Sequence, residues 1–354
     1  MTPNLLGLFC VGFDGLTVPD ALRPLLAQGL GGVILFKRNL EDLEQILRLT
    51  ADIRAAAPGP LLIGVDQEGG RVTRLPAPFL APPPAARIGA RGDAVLAQAL
   101  ARAVGRELRA AGINWNLAPV LDVHTNPANP VIGDRAYGTD PETVTRFGLA
   151  VIAGLAEAGV LATAKHFPGH GDTRLDSHHD LPESLQSPER WRSVEFAPFR
   201  AAIRAGVPTV MVAHLSCPAL DSTAPSSLSR RILTGILRTE LGFGGVVVSD
   251  DLEMGGITTR TDVGEAAVRF LEAGGDLLLV CQDPTRQHAA LEAVGAALRS
   301  GRLPVRTIDA ALERLARCHR LFPGRHRPAA TDADARSLIG SAEHREILGK
   351  ILGA

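Results

Sequence analysis

The sequence predicts an α/β protein built as one closed (β/α)8 barrel, a TIM-type fold in a single domain. Three observations predict it. Eight short apolar runs recur along the 354 residues, amphipathic helical stretches lie between them, and several runs end in charged residues that packing does not require. Runs that are apolar almost throughout mark strands covered on both faces, as in parallel sheets. Eight strands alternating with helices favour closure over an open doubly wound sheet, and a barrel of this kind uses about 250 residues or more. No GxGxxG follows the first run and no GxxxxGK[ST] occurs, so both common nucleotide-binding signatures are missing.

In chain order the predicted strands are 5–13, 31–36, 61–66, 114–120, 162–167, 208–214, 245–250 and 276–282. Helices are predicted over 93–111 and 141–158, which open beside acidic residues and carry apolar residues at three- and four-residue spacing. The stretches 264–273 and 286–299 repeat that pattern. On this reading residues 1–322 form the barrel. Residues 323–332 (PGRHRPAATD) read as a linker and 333–353 as a short helical tail, so 323–354 is too short for a domain of its own.

Composition narrows the function. Hydrophobic residues make up 45% and charged residues 21%, enough for a sizeable core. The formal net charge is −1 with the signs interleaved, which gives no reason to expect nucleic acid or an anionic membrane surface as partner. Aromatic residues, at 4%, are too few for a long stacking platform. Cys10, Cys217, Cys281 and Cys318 are far apart, form no CxxC, and read as buried free thiols in a reducing compartment. The N-terminus MTPNLLGLFCVGFDG lacks a basic n-region and a small-residue cleavage site, and no run approaches the ~20 apolar residues of a membrane helix. The expectation is a cytoplasmic monomer.

Chemistry in such a barrel sits at the carboxyl ends of the strands and in the loops that follow. The third run ends in Asp66-Gln67-Glu68-Gly69-Gly70-Arg71, with Arg74 a turn later; the fifth carries Lys165-His166 and the sixth His214. The seventh ends in Ser249-Asp250-Asp251 and the eighth in Gln282-Asp283. An ionised aspartate at a barrel mouth is suited to attack an anomeric carbon, the role that fits Asp250. Asp251 is placed to cap the next helix. Lys165 is one of three lysines and lies in the apolar run ATAKHF, so it needs a carboxylate or a ligand such as sugar hydroxyls.

Residues 166–182, HFPGHGDTRLDSHHDLP, read in two ways. His166, His170, His178 and His179 with Asp172, Asp176 or Asp180 could hold a metal. Alternatively, Asp176 orients His178 as a proton-transfer dyad. Spacing alone leaves both open.

Through GGVILFKRN, DQEGGRVTRL, NLAPVLDV, GDRAYG, KHFPGHGDTRLDSHHDLP, VMVAHLSCPALD, VVVSDDLEM and AGGDLLLVCQD, residues 5–320 resemble the bacterial β-N-acetylglucosaminidases of glycoside hydrolase family 3. The resemblance implies a retaining β-N-acetylhexosaminidase with Asp250 as nucleophile and an Asp176–His178 dyad, His178 being the acid/base. It places sugar binding on Asp66, Arg74, Arg135, Lys165 and His166. It implies no cofactor and no metal, which moves the histidine cluster from ligands to dyad. A histidine exchanges protons near neutrality, its unperturbed pKa being about 6.5. A neutral imidazole does not repel an incoming anion, so either water or phosphate fits as acceptor. Family β-glucosidases take their acid/base glutamate from outside the barrel, whereas a dyad on the barrel's own loop is self-sufficient. The resemblance further implies release of N-acetylglucosamine from muropeptides or related small saccharides, in cytoplasmic recycling of peptidoglycan.

Overall fold

The computed structural model describes residues 3–173, 181–320 and 332–353. Eight strands, β1 (Phe9–Val11), β2 (Gly32–Leu35), β3 (Leu62–Val65), β4 (Trp115–Asn116), β5 (Leu161–Phe167), β6 (Thr209–Val212), β7 (Val246–Asp251) and β8 (Leu277–Val280), close into one barrel. Each pairs in parallel with the next, and Phe9, Cys10 and Val11 pair with Leu278, Leu279 and Val280 to seal it. The fold class is the predicted one, and every predicted strand overlaps an observed strand.

The strands β1 and β4 fall furthest short of their apolar runs. Leu5–Leu8 forms a 3-10 turn because the Asn4 side chain accepts the Leu6 N–H, and extended backbone starts only at Phe9. At β4, amide side chains take over part of the ladder. Asn114 accepts from Ile63 N at 2.8 Å and donates to Leu61 O at 2.9 Å, while Asn116 accepts from Gln67 N at 3.0 Å. Pro119, which has no N–H to donate, follows, and pairing with β5 resumes at Val120 and Lys165.

The predicted helices appear as Ala94–Ala110, Pro141–Glu157, Val263–Ala273 and Pro284–Arg299, capped by Asp93, Asp140, Asp262 and Asp283. Each cap accepts a first-turn N–H that the helix itself leaves unpaired. Asp283, read from sequence as a rim residue, thus accepts from Thr285 N at 2.8 Å. Strand residues are almost all buried between barrel interior and helices, as a doubly covered parallel sheet demands. The four cysteines are buried and unbridged. The tail forms two helices, Asp332–Leu338 and Ala342–Leu352, broken at Gly340, where φ is +65°. Among the described residues no helix is long and apolar enough to cross a membrane.

Candidate active site

The carboxyl ends of the strands open on a cavity of about 410 Å3. Of the eight residues predicted for the site, Asp66, Arg74, Arg135, Lys165, His166 and Asp250 all line it. They come from positions as far apart as 66 and 250, and only barrel closure brings them together. Asp176 and His178 lie outside the described residues.

The turn after β3 sets the first wall. Gly69 and Gly70 adopt φ of +115° and +56°, and a Cβ on Gly69 would meet Pro83 O at 2.5 Å. Glycine permits both the backbone geometry and the approach. The chain therefore doubles back, with Glu68 N donating to Val72 O at 3.0 Å. Gln67 then holds the returning strand, its Oε1 accepting from Arg74 N at 2.9 Å. Arg74 ends 4.0 Å from Asp66, and its buried Nε has no partner among the described residues.

A chain of buried charges forms the next wall. Lys165 Nζ lies 2.6 Å from both Asp66 Oδ1 and Glu68 Oε1. The Arg135 fork meets Glu68 through two bonds of 2.8 Å. Burial alone would raise the Glu68 carboxyl, but Arg135 and Lys165 outweigh it and hold it well below the usual carboxylate range. The partners required for Lys165 by its sequence context are therefore carboxylates, and one of them, Glu68, was absent from the predicted site.

The peptide between Lys165 and His166 is cis, and both residues line the cavity. His166 Nδ1 lies 2.7 Å from Asp122 Oδ2, and Arg135 Nη2 approaches its Nε2 at 3.4 Å. Asp122 is fully buried and also accepts His170 N at 2.6 Å. Burial lowers His170 to about 4, so its imidazole is neutral near pH 7. Its Nδ1 meets Thr173 Oγ1 at 2.7 Å. Asn129 donates to His170 O at 2.8 Å, and Gln186 to Asp172 Oδ2 at 2.7 Å. The segment entering the predicted dyad loop is thus fastened up to Thr173.

Asp250 closes β7. Burial would raise its carboxyl, yet the imidazoles of His166 and His214, the Asp251 N–H at 2.9 Å and Lys165 hold it below the usual carboxylate range. It is ionised at neutral pH. Its neighbour differs: burial pushes Asp251 up to about 7. Asp251 does not cap the following helix, whose first turn starts at Met254. Its Oδ1 instead accepts from Glu253 N at 3.1 Å and Cys281 N at 3.3 Å, tying β7 to β8. His214 touches Ser227 Oγ at 2.7 Å and Asp251 O at 3.1 Å.

Glu68, Asp122 and His214 are thus functional neighbours that sequence reasoning left without a role, and His170, weighed there only as a metal ligand, is another. The signal was present for three of them, since Glu68, Asp122 and His214 each stand at or just past the end of an apolar run. Among the described residues no three His, Cys, Asp or Glu side chains are grouped to hold a metal ion. The assembled site offers an ionised Asp250, beside the ion-paired Glu68, in a cavity rich in fixed hydrogen-bond donors and acceptors, suited to binding a polyhydroxylated ring.

Residues 19–318 match the N-terminal domain of the glycosyl hydrolase family 3 enzymes. Beta-hexosaminidase A of Pseudoalteromonas piscicida is 35% identical over 94% of this chain, which spans 60% of that protein's length. A β-N-acetylglucosaminidase from Paenibacillus sp. str. FPU-7 superposes with a TM-score of 0.94 at 44% identity, over 99% of this chain and 68% of that one. NagZ from Neisseria gonorrhoeae, in complex with N-trifluoroacetyl-D-glucosamine, gives 0.81 at 32% identity, over 99% and 98% of the two chains.

Proposed function

The chain belongs to family 3 of the glycosyl hydrolases, and on that premise we propose that it is a β-N-acetylhexosaminidase that removes terminal N-acetylglucosamine with retention of configuration. Asp250 is the nucleophile in this reading, and His178, oriented by Asp176, is the acid/base. Asp66, Arg74, Arg135, Lys165 and His166 bind the sugar. The observation that carries the reading is Asp250 itself, a half-buried carboxylate held in its anionic form in a cavity of about 410 Å3. Pockets that enclose a small ligand span about 300–1,000 Å3.

The chemistry proceeds in two displacements. Asp250 bonds to the anomeric carbon while His178 gives its proton to the departing glycosidic oxygen. The neutral imidazole then takes a proton from the acceptor, which attacks the same carbon and frees Asp250. Water as acceptor gives hydrolysis; phosphate would give the sugar 1-phosphate. The substrates we infer are muropeptides or related small glycosides of N-acetylglucosamine, met in the cytoplasm by a monomeric enzyme. Residues 1–322 serve as the catalytic barrel, with 323–354 as linker and tail.

An activated fluoro-sugar of N-acetylglucosamine should leave a covalent adduct on Asp250, read by mass spectrometry of the digested protein. Asp250→Ala should lose turnover by at least about 10,000-fold while its melting temperature stays near that of the parent. Strong inhibition by a thiazoline analogue with no adduct on Asp250 would transfer the nucleophile's role to the substrate's acetamido group and end this mechanism. Product analysis with and without phosphate separates hydrolysis from phosphorolysis.

A further inference from the structure

We propose that Asp122 is a positioning residue that fixes the tautomer of His166 and ties the sugar pocket to the start of the dyad loop. The proposal rests on the reading that this cavity binds N-acetylglucosamine. Asp122 stands just past Val120, where the backbone of β4 has rejoined β5: Leu121 N donates to Lys165 O, and Val120 bridges Lys165. Its side chain has no exposure. A carboxylate without water must find its donors in the protein, and each donor here belongs to a different part of the site.

Oδ2 meets His166 Nδ1 at 2.7 Å, while both oxygens lie 3.3 Å from His166 N. Oδ1 accepts His170 N at 2.6 Å. Burial would raise Asp122, but His166 and His170 outweigh it and keep it below the usual range. An ionised carboxylate only accepts, so the proton on this contact belongs to Nδ1 of His166. The other face of the ring agrees. Arg135 Nη2 stands 3.4 Å from Nε2, and a guanidinium only donates, so Nε2 presents its lone pair. Between a pure acceptor and a pure donor one neutral tautomer satisfies both contacts. Nε2 is then the acceptor offered to the cavity, for a sugar hydroxyl to donate to.

The same carboxylate pins the segment that leads to Asp176 and His178. With His170 N on Oδ1, the turn runs on to Thr173, and a Cβ at Gly171 would meet Val123 O at 1.8 Å. That glycine lets the segment lie flat against the backbone next to Asp122. One side chain therefore sets both a sugar-facing imidazole and the position from which the loop departs.

Asp122→Asn keeps the shape and removes the logic. An amide has one acceptor and one donor end, so it cannot accept from both His166 Nδ1 and His170 N. If its oxygen keeps His170 N, its NH2 faces Nδ1; Nδ1 becomes the acceptor, the proton moves to Nε2, and Nε2–H confronts Arg135. Replacing a tautomer-fixing aspartate by asparagine in other enzymes costs up to about 10,000-fold in turnover. His166 binds sugar here without transferring a proton, so a loss of about 100-fold in kcat/KM is expected. The loss should be similar on aryl glycosides with good and poor leaving groups.

The test pairs that measurement with 15N NMR of histidine-labelled protein, His166 being assigned with His166→Gln. The wild type should show a protonated Nδ1 and a bare Nε2, and Asp122→Asn the reverse. The wild-type spectrum needs no substrate and no folded Asp122→Asn, so it is independent of the N-acetylglucosaminidase reading. A protonated Nε2 in the wild type overturns the proposal, as does an unchanged tautomer in Asp122→Asn. A loss confined to poor leaving groups also overturns it, because the effect would then lie with the proton donor. Wild-type protein that shows the expected tautomer but releases no N-acetylglucosamine leaves Asp122's role in place and sinks the substrate assignment.

Discussion

Glu68 shows how a side chain can be indispensable to a site without being its reagent. Its two oxygens take the Arg135 fork and the Lys165 ammonium together, so one carboxylate sets two cations at the cavity wall. Glu68→Gln would turn an NH2 toward those donors and leave two buried cations short of an anion. Removing one partner from a buried ionic set costs about 3–5 kcal/mol. Because the folded-state value of Glu68 is depressed, its stabilisation is present above the unfolded value, about 4.3, and is lost as pH falls through the folded one. The stability gap between parent and Glu68→Gln should hold constant above about pH 5 and shrink in more acidic solution. Urea titrations across that range check it, and a gap that widens on acidification contradicts the assignment. Sequence reasoning reached Lys165 because a lysine inside ATAKHF violates the apolar pattern. It named Glu68 among the polar residues at the rim but gave it no role, because DQEGG has no apolar pattern for a charge to violate. Only the φ angles of Gly69 and Gly70 reveal that the turn folds inward.

At the level of elements, β7 and β8 meet through Asp251 rather than through a simple ladder. The register between them shifts between Val248 and Asp251, and Asp251 Oδ1 takes the N–H groups of Glu253 and Cys281 instead. Burial pushes this carboxyl up to about 7. The unfolded chain loses that proton near pH 4 while the folded chain keeps it to about 7, so folding becomes less favourable as pH climbs through this window and the cost is complete above it. Asp251→Asn retains a carbonyl acceptor without a charge to bury. It should gain about 2–4 kcal/mol over the parent at pH 8, and the gain should vanish below about pH 4. Equal stability at pH 8 would mean the carboxyl is not strained by burial. Element existence was legible throughout: unbroken apolar runs gave all eight strands, and aspartates before amphipathic stretches gave four helix starts. Element ends were not. Asn4 and Asn114 cut the runs short by hydrogen bonds from side chain to backbone, and apolar counting does not register such bonds.

Across the whole molecule, the tail reaches the cavity through one buried carboxylate. Glu107 lies on the helix Ala94–Ala110 and is 2% exposed. Its Oε1 accepts Gly340 N and His344 Nδ1, both at 2.9 Å, and its Oε2 accepts Leu80 N at 2.7 Å. Leu80 O in turn receives Gln67 Nε2 at 3.0 Å, and Gln67 Oε1 holds Arg74 N. Four links thus join the helix Ala342–Leu352 to an arginine that lines the cavity. Three donors converge on two oxygens, and Glu107→Gln offers one oxygen and one amide that cannot accept. At least one buried N–H is left unpaired, at a cost of about 1–3 kcal/mol. A purely local defect would lower stability and leave catalysis alone. If the linkage transmits position, KM for aryl N-acetylglucosaminides should rise several-fold with kcat little changed, because Arg74 would be displaced and Asp250 would not. His344→Ala removes the tail's end of the same linkage, and the same split is expected there. An unchanged KM in both variants, despite a measurable loss of stability, would confine the tail to holding the barrel's flank.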